Sequence, residues 1–311
     1  MPIARPLDFT RLRTRPLAER SSFAGVPDIL EPIDAPLRAV DATVVAAAGI
    51  AADRIRHARA KDAQVVLMYG AHLLRNGAAL LVTDLMEKGW VTHLATNGAG
   101  TIHDWEFAWH GRSCESVEDN VATGTFGAWE ETGRNIHLAL MAGAIRGEGY
   151  GIALGRFIHE DGCELPEPGI LRSLVSQFAG DPMAAAAADL LHAQSRNGLT
   201  SGRLEVMHRW KQASILAQAF RLGVPVTVHP GIGYDIIACH PMFNGAVVGR
   251  AAGMDFHLFA GAVDGLDDGV VLSVGSAIMA PQVFEKALSC VHNLRFQDGR
   301  PAVAEIGRAH V

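Results

Sequence analysis

A short apolar run that stops at a glycine-containing turn and restarts as a helix recurs along this chain, and that alternation restricts its fold more than any other feature. Val65–Tyr69 (VVLMY) leads into Gly70 and the polar step Arg75-Asn76-Gly77, and residues 78–88 then carry apolar side chains at helical spacing before Gly89. Residues 91–96 form the next apolar run, ending in Asn97-Gly98-Ala99-Gly100, and 101–109 read as the following helix. Strand signals return at 224–228 and 270–274, running into Gly231-Ile232-Gly233 and Gly275-Ser276. Further helical patterns fall at 133–145, 171–177, 182–194, 203–221, 246–262 and 282–294. Continuous apolar strands alternating with helices are the grammar of βαβ units around a parallel sheet, because both faces of such a sheet are covered. The expected fold is therefore α/β, a parallel sheet flanked by helices.

Nothing between residues 40 and 300 resembles a linker and no internal repeat is visible, so one large domain over 41–304 is expected. Residues 1–40, rich in proline and poor in periodic apolar positions, read as an extended N-terminal arm wrapping a neighbour or the body. With 49% apolar and 19% charged residues, the chain has ample material for a core, which excludes a disordered protein. A net charge of −6 gives no basic footprint for nucleic acid or an anionic membrane, and no apolar run has the length of a membrane span. Cys114, Cys163, Cys239 and Cys290 lie far apart with no CxxC pair, which argues against a disulfide framework and fits the reducing cytoplasm. The last seven residues, 305–311, differ in character from the rest. Back-translated, they spell a common sequencing-adapter tail, so the expectation is a non-native end and a natural chain that continues past Ala304.

In an open parallel sheet, ligands bind beyond the carboxyl ends of the strands. Four loops there have unusual composition: 72–77, 96–104, 229–235 and 275–281. Glycines allow close backbone approach, and a helix N-terminus presents free N–H groups to a phosphate. Gly98-Ala99-Gly100 and Gly231-Ile232-Gly233 fit that role, although neither completes GxGxxG. Several such loops in one α/β chain make a nucleotide cofactor the leading expectation, set against the plain-turn reading of each glycine. Asp235 stands where a carboxylate accepts from ribose hydroxyls, or else caps a helix. His103 and Asp104 fall in the first turn after a Gly-rich loop, suited to acid–base work or simply to a solvated helix start. His229 and His240 flank the third loop without matching a metal-ligand spacing. Cys239, inside the apolar stretch Ile236-Ile237-Ala238, reads as a buried structural thiol, and Lys211 as lying on the wet face of its helix.

Four stretches in order resemble the deoxyhypusine synthase family: His72-Leu-Leu-Arg-Asn-Gly77, Thr96-Asn-Gly-Ala-Gly-Thr-Ile-His-Asp104, Val224-Pro-Val-Thr-Val-His-Pro-Gly-Ile-Gly-Tyr-Asp235, and Gly269-Val-Val-Leu-Ser-Val-Gly-Ser-Ala277. The resemblance spans about residues 60 to 295. It implies a Rossmann-like single domain that binds NAD and assembles as a homotetramer with cofactor sites between subunits. It also implies oxidation of an amine by NAD and transfer of the resulting group through an imine on a lysine. By the same resemblance, Asn76, Gly77, Thr96, Gly98, Gly100, Asp235, Gly275 and Ser276 would line the cofactor, with His103, Asp104 and His229 left for acid–base work. The departures are specific. Met279-Ala280 stands where the family has Lys-His, Ile102-His103 replaces an acidic pair, and the imine lysine would lie beyond Ala304.

The resulting expectation is an NAD-dependent enzyme acting on a small amine- or hydroxyl-bearing substrate other than spermidine, with neither nucleic acid nor membrane as partner. Two alternatives stand beside it: a non-catalytic nucleotide-binding or assembly protein on the same scaffold, and a metal-dependent hydrolase built on His229 and His240.

Overall fold

The computed structural model describes residues 5–36, 39–177, 180–276, 278–304 and 306–310. Ala277 of the fourth loop, residues 305 and 311 of the tail, and residues 1–4, 37 and 38 of the expected arm lie outside them. Nine strands occur among the described residues: β1 (Ala24–Gly25), β2 (Val65–Tyr69), β3 (His93–Asn97), β4 (Arg112–Ser113), β5 (Gly162–Leu165), β6 (Gly202–Glu205), β7 (Val226–His229), β8 (Val270–Val274) and β9 (Gly307–His310). Five of them make one sheet in the order β7-β3-β2-β8-β9, every neighbouring pair parallel. The other four form two short antiparallel pairs, β1 with β4 and β5 with β6.

Alternate side chains of a strand face opposite ways, and the core divides accordingly. Val65, Leu67, Tyr69, Leu94, Val226 and Val228 point into one large cluster with the helices Gly98–His110, Glu130–Ile145, Tyr150–His159 and Ile215–Leu222. Val66, Met68, Ala95 and Val271 point into a second cluster with Phe259, Val263, Phe284 and Val291, from the helices Gly245–Asp264 and Glu285–Gln297 and the π-helical turn Met279–Phe284 between them. Every residue of β2 and β3 is buried; β2 accordingly reads as an unbroken apolar run, while β3 keeps the polar His93, Thr96 and Asn97 inside. The chain is an α/β domain with a parallel, Rossmann-like sheet covered by helices on both faces.

The first four sheet strands run outward from β2 to β3 and β7, and the chain then crosses back to place β8 on the other side of β2. That reversal puts a topological switch point between the carboxyl ends of β2 and β8, where two neighbouring loops part in opposite directions. Gly70 and Gly275 meet there, and a Cβ on Gly70 would lie 2.2 Å from the Gly275 carbonyl oxygen. β9 adds Gly307–His310 to the edge by main-chain pairing with β8, a kind of contact that asks little of side-chain identity.

Three expectations are corrected. The helix expected over 203–221 is a strand (β6), a 3-10 turn at Lys211–Ala213 and the helix Ile215–Leu222. Leu204 and Val206 belong to a period of two, in an antiparallel pairing with β5 that Gly162 permits with φ at +123°, where a Cβ would lie 1.9 Å from the Leu204 carbonyl oxygen. Lys211 is accordingly tied down: its Nζ donates to Asp161 Oδ2 at 2.6 Å and to the His159 carbonyl at 3.0 Å. Cys239, expected to be buried, is exposed on the 3-10 turn Ile236–Cys239. The helices Ala42–Ala60 and Tyr150–His159 were not anticipated.

The N-terminal segment lies along the body of the domain. Leu17 is fully buried, β1 pairs with β4, and Arg15 bridges to Trp129.

Candidate functional site

The loops after β3 and β7 close on a cleft of about 230 Å³, lined among others by Arg20, Arg75, Ile102, His103, Cys114, Tyr234 and Asp235. Its wall is the helix Gly98–His110. Asn97 caps that helix by accepting from the Gly100 N–H at 3.0 Å, which draws β3 directly into the first helical turn. Gly98 is required here by what it touches, since a Cβ would stand 1.9 Å from Asp235 Oδ2. Asp235 reaches this position from the loop after β7. Its Oδ2 accepts from the Gly231 N–H at 2.8 Å, while Oδ1 is buried with no hydrogen-bond partner. Loss of water pushes its carboxyl up to about 6. The residue precedes the 3-10 turn Ile236–Cys239 without capping it through its side chain, so the carboxylate is free of that duty.

His103 faces the same cleft. Its Nδ1 is 2.7 Å from Ser113 Oγ, and Ser113 Oγ is in turn 2.5 Å from Glu106 Oε2. Glu106 is buried and held on three more sides. Arg20 forks onto it with Nη1 to Oε1 at 2.8 Å and Nη2 to Oε2 at 2.7 Å, and the Thr132 hydroxyl donates to Oε1 at 2.9 Å. Helical spacing of three puts His103 and Glu106 on one face. Gly111, in the left-handed region at φ +71°, ends the helix and turns the chain back, and the β4–β1 pair then fixes Ser113 beside them. Burial holds the His103 imidazole down to about 4, so it is neutral at physiological pH. Cys114 Sγ lies 3.9 Å from His103 Nδ1, with its backbone at φ +69°, a conformation non-glycine residues rarely take. Burial raises the Cys114 thiol, which keeps it protonated.

The structure brings His103 and Asp235 to this cleft, packs Gly98 behind Asp235, and sends the other expected site residues elsewhere. Asp104, one position on from His103, points about 100° around the helix. There its Oδ1 accepts from the Ile215 N–H at 2.7 Å and its Oδ2 from the Ser214 hydroxyl, which anchors the start of the helix Ile215–Leu222. Thr96 is fully buried and donates to the Tyr69 carbonyl at 2.9 Å, and Gly100 packs on that same hydroxyl. Asn76 donates to the His72 carbonyl at 2.8 Å. Gly77, at φ +79°, is covered by the Ile29 carbonyl, 1.7 Å from where a Cβ would be. Gly275 sits at the switch point, and Ser276 Oγ accepts from the N–H groups of Ile278 and Met279 at 3.3 and 3.2 Å. Met279 is fully buried in the second core cluster.

His229 ends β7 with its Nε2 3.3 Å from Thr227 Oγ1 and its ring edge-on to Phe259, and burial lowers it to about 4. His240 engages Glu130 Oε2 at 3.3 Å and stacks on His137. The two histidines serve different partners. Among the described residues no group of three or more His, Cys, Asp or Glu side chains is placed to hold a metal ion. Glu106, Ser113, Arg20 and Arg75 were missed. The i, i+3 pair His103 and Glu106 on one predicted helix was the available signal; the contributions of Ser113 and Arg20 depend on tertiary contacts.

Fold and cleft together define a doubly wound α/β protein with a cleft of mixed polar and apolar lining at the carboxyl edge of its sheet. No protein-family model and no curated protein matches the chain. Among solved structures, it is similar to a point mutant of AgrE in binary complex with L-arginine, at 13% identity and TM-score 0.38 over 87% of this chain and 28% of that one. AgrE in ternary complex with ornithine and NAD+ gives 12% identity and TM-score 0.37 over 88% of this chain and 32% of that one. A conserved putative LOR/SDH protein from Methanococcus maripaludis S2 gives 12% and 0.38 over 89% of this chain and 62% of that one. The chain thus spans about a third or less of the AgrE structures, and similarity of this order assigns it no activity. No helix among the described residues is long and apolar enough to cross a membrane.

Proposed function

We propose that this chain is an NAD-dependent enzyme on a deoxyhypusine-synthase-like scaffold, in which a small amine- or hydroxyl-bearing substrate meets His103 in the cleft between the β3 and β7 loops. One observation carries the reading: Asp235 holds a buried carboxylate oxygen with no donor, pressed against Gly98 at the carboxyl edge of a parallel sheet and in the same cleft as a neutral imidazole. An unsatisfied buried acceptor calls for a donor from outside the chain, and a ribose hydroxyl supplies one. NAD, when bound, supplies a hydride acceptor. The chain's own residues would supply the rest. Asp235 would hold the ribose, and the first turn of the helix Gly98–His110 would face the anionic part of the cofactor. His103 would take the proton that leaves with hydride loss.

A cleft of about 230 Å³ is smaller than the roughly 300–1,000 Å³ of sites that enclose drug-sized ligands, so it houses one end of a dinucleotide. The remainder would follow the sheet edge toward Gly275 and Ser276 or lie against a second copy, as the resemblance to a homotetramer with interfacial sites implies. Titration calorimetry with NAD, NADH and NADP checks the reading, and absence of binding at millimolar concentration overturns it.

The substrate is not a polyamine in this proposal. Arg75 projects into the cleft, Ile102 occupies a place where the family carries an acid, and Glu106 is consumed by Arg20. Loss of one charge-assisted contact costs about 1.5–3 kcal/mol, or roughly ten- to a hundredfold in affinity. Spermidine should therefore leave NAD unreduced in the presence of this protein, and reduction at an ordinary enzymatic rate would refute the claim.

A further inference from the structure

His103 is bonded through Nδ1 to a serine hydroxyl, and which atom carries the proton follows from what lies behind that serine. Ser113 is fully buried, and its oxygen has two close polar neighbours, Glu106 Oε2 at 2.5 Å and His103 Nδ1 at 2.7 Å. A hydroxyl owns one proton. A carboxylate held in a guanidinium fork accepts only, and Glu106 takes both Arg20 N–H groups and the Thr132 hydroxyl proton. The Ser113 proton therefore points at Glu106. The Ser113 oxygen then faces His103 with lone pairs alone, and the contact is a hydrogen bond only if Nδ1 is the donor.

We infer that Glu106 and Ser113 are positioning residues that hold His103 as the Nδ1–H tautomer, leaving the lone pair on Nε2 as the proton acceptor of the cleft. The inference rests on the reading of the cleft given above for its catalytic meaning; the tautomer itself stands on the hydrogen-bond chain. The chain is directional from end to end: His103 Nδ1–H donates to Ser113 Oγ, Ser113 O–H donates to Glu106, and the Arg20 guanidinium donates to Glu106 from the far side. A proton gained at Nε2 makes the ring a cation whose Nδ1–H bond to Ser113 strengthens, and the Glu106 charge lies one hydroxyl away to compensate it. The base is thus stabilised in both of its states without rotating. The other groups facing the ring are Arg75 and His72 from the helix Ala71–Arg75, Arg20 from the N-terminal segment, and the Cys114 thiol. The cationic members oppose protonation, which leaves the Glu106 relay as the feature that favours it.

The tautomer can be read without substrate or cofactor. In the full chain labelled with 15N at histidine, nitrogen–proton correlation spectra distinguish a protonated from an unprotonated ring nitrogen, and loss of one signal in His103→Gln assigns the residue. The wild type should show Nδ1 protonated and Nε2 bare at neutral pH. Ser113→Ala, which removes a hydroxyl and no charge, should abolish that preference and shift population to Nε2–H. Glu106→Gln should reverse it, because an amide N–H donates to the Ser113 oxygen and turns the hydroxyl proton toward Nδ1. If Glu106→Gln fails to fold without the Arg20 fork, Ser113→Ala alone decides. A wild-type His103 found as Nε2–H, or a tautomer indifferent to Ser113→Ala, overturns the relay. A protein with the expected tautomer that binds no NAD would leave the relay in place and overturn the proposed function instead.

Discussion

In the proposed function, cofactor recognition turns on Asp235, which among the described residues alone combines a place in the cleft with a buried oxygen lacking a hydrogen-bond partner. Replacement by alanine should weaken NAD binding by the worth of a hydrogen bond to a charged group, about 1.5–3 kcal/mol or roughly ten- to a hundredfold. Folding should survive. The side chain caps no helix, and above its pKa of about 6 an ionised carboxylate in this setting opposes the folded state. The two quantities are read together by calorimetry and thermal melting of Asp235→Ala beside the wild type. Unchanged affinity with a lowered melting temperature would mean that the residue serves the Gly231 turn and not a ligand. His103 differs in kind from the other histidines with strongly lowered pKa values: His93, His137, His208 and His229 do not line the cleft.

At the scale of elements, the helix Gly98–His110 shows how much of the site was legible and where legibility stopped. Its existence, its Gly-rich start and the presence of His103 near its first turn followed from the pattern of the sequence. The separation of His103 from Asp104 did not. Two adjacent polar residues at a helix start look equivalent in one dimension, and only the rotation of about 100° per residue decides that one meets a cleft and the other a neighbouring helix. Asp104 therefore belongs to the fold. It joins the helix Gly98–His110 to the start of the helix Ile215–Leu222, through Ile215 N and the Ser214 hydroxyl that itself caps that helix. Asp104→Ala should cost about 1.5–3 kcal/mol in denaturant-unfolding free energy and leave NAD affinity within twofold of the wild type. A loss of affinity without a loss of stability would return Asp104 to the site. The expected helix over 203–221 failed for a related reason. Its apolar residues suit either period, and what selects the strand is the pairing with β5, a contact about 40 residues away that no local window contains.

For the molecule as a whole, the central strands β2 and β8 were the most legible part, because their inward positions are almost all apolar, and both match their expected bounds. The price of that architecture is a set of ionisable groups enclosed without water, and they set how the protein responds to acid. His93, His103, His137, His208 and His229 are each lowered by burial from 6.5 to about 4. Between those values the unfolded chain binds protons at these sites that the folded chain refuses, so their contribution to stability is complete above 6.5 and is lost as the pH falls toward 4. Asp104 and Asp255 are raised from 3.8 to about 7 and Asp235 to about 6, again by burial. These act in the opposite sense: the folded state holds protons that the unfolded chain has released, so they favour the folded protein at low pH and oppose it above about 7. Across the acid side of neutrality five imidazoles oppose three carboxylates, and Glu130, lowered to about 2 by its contact with His240, adds to the acid loss. The imidazoles prevail. Melting temperature should peak between about pH 6.5 and 7 and decline on both sides, steeply toward pH 4 and gently toward pH 8. Scanning fluorimetry across that range in a constant-ionic-strength buffer checks it. A melting temperature that climbs steadily from pH 6.5 down to 5 would show that the buried carboxylates dominate, and that the five histidines reach solvent in the folded protein.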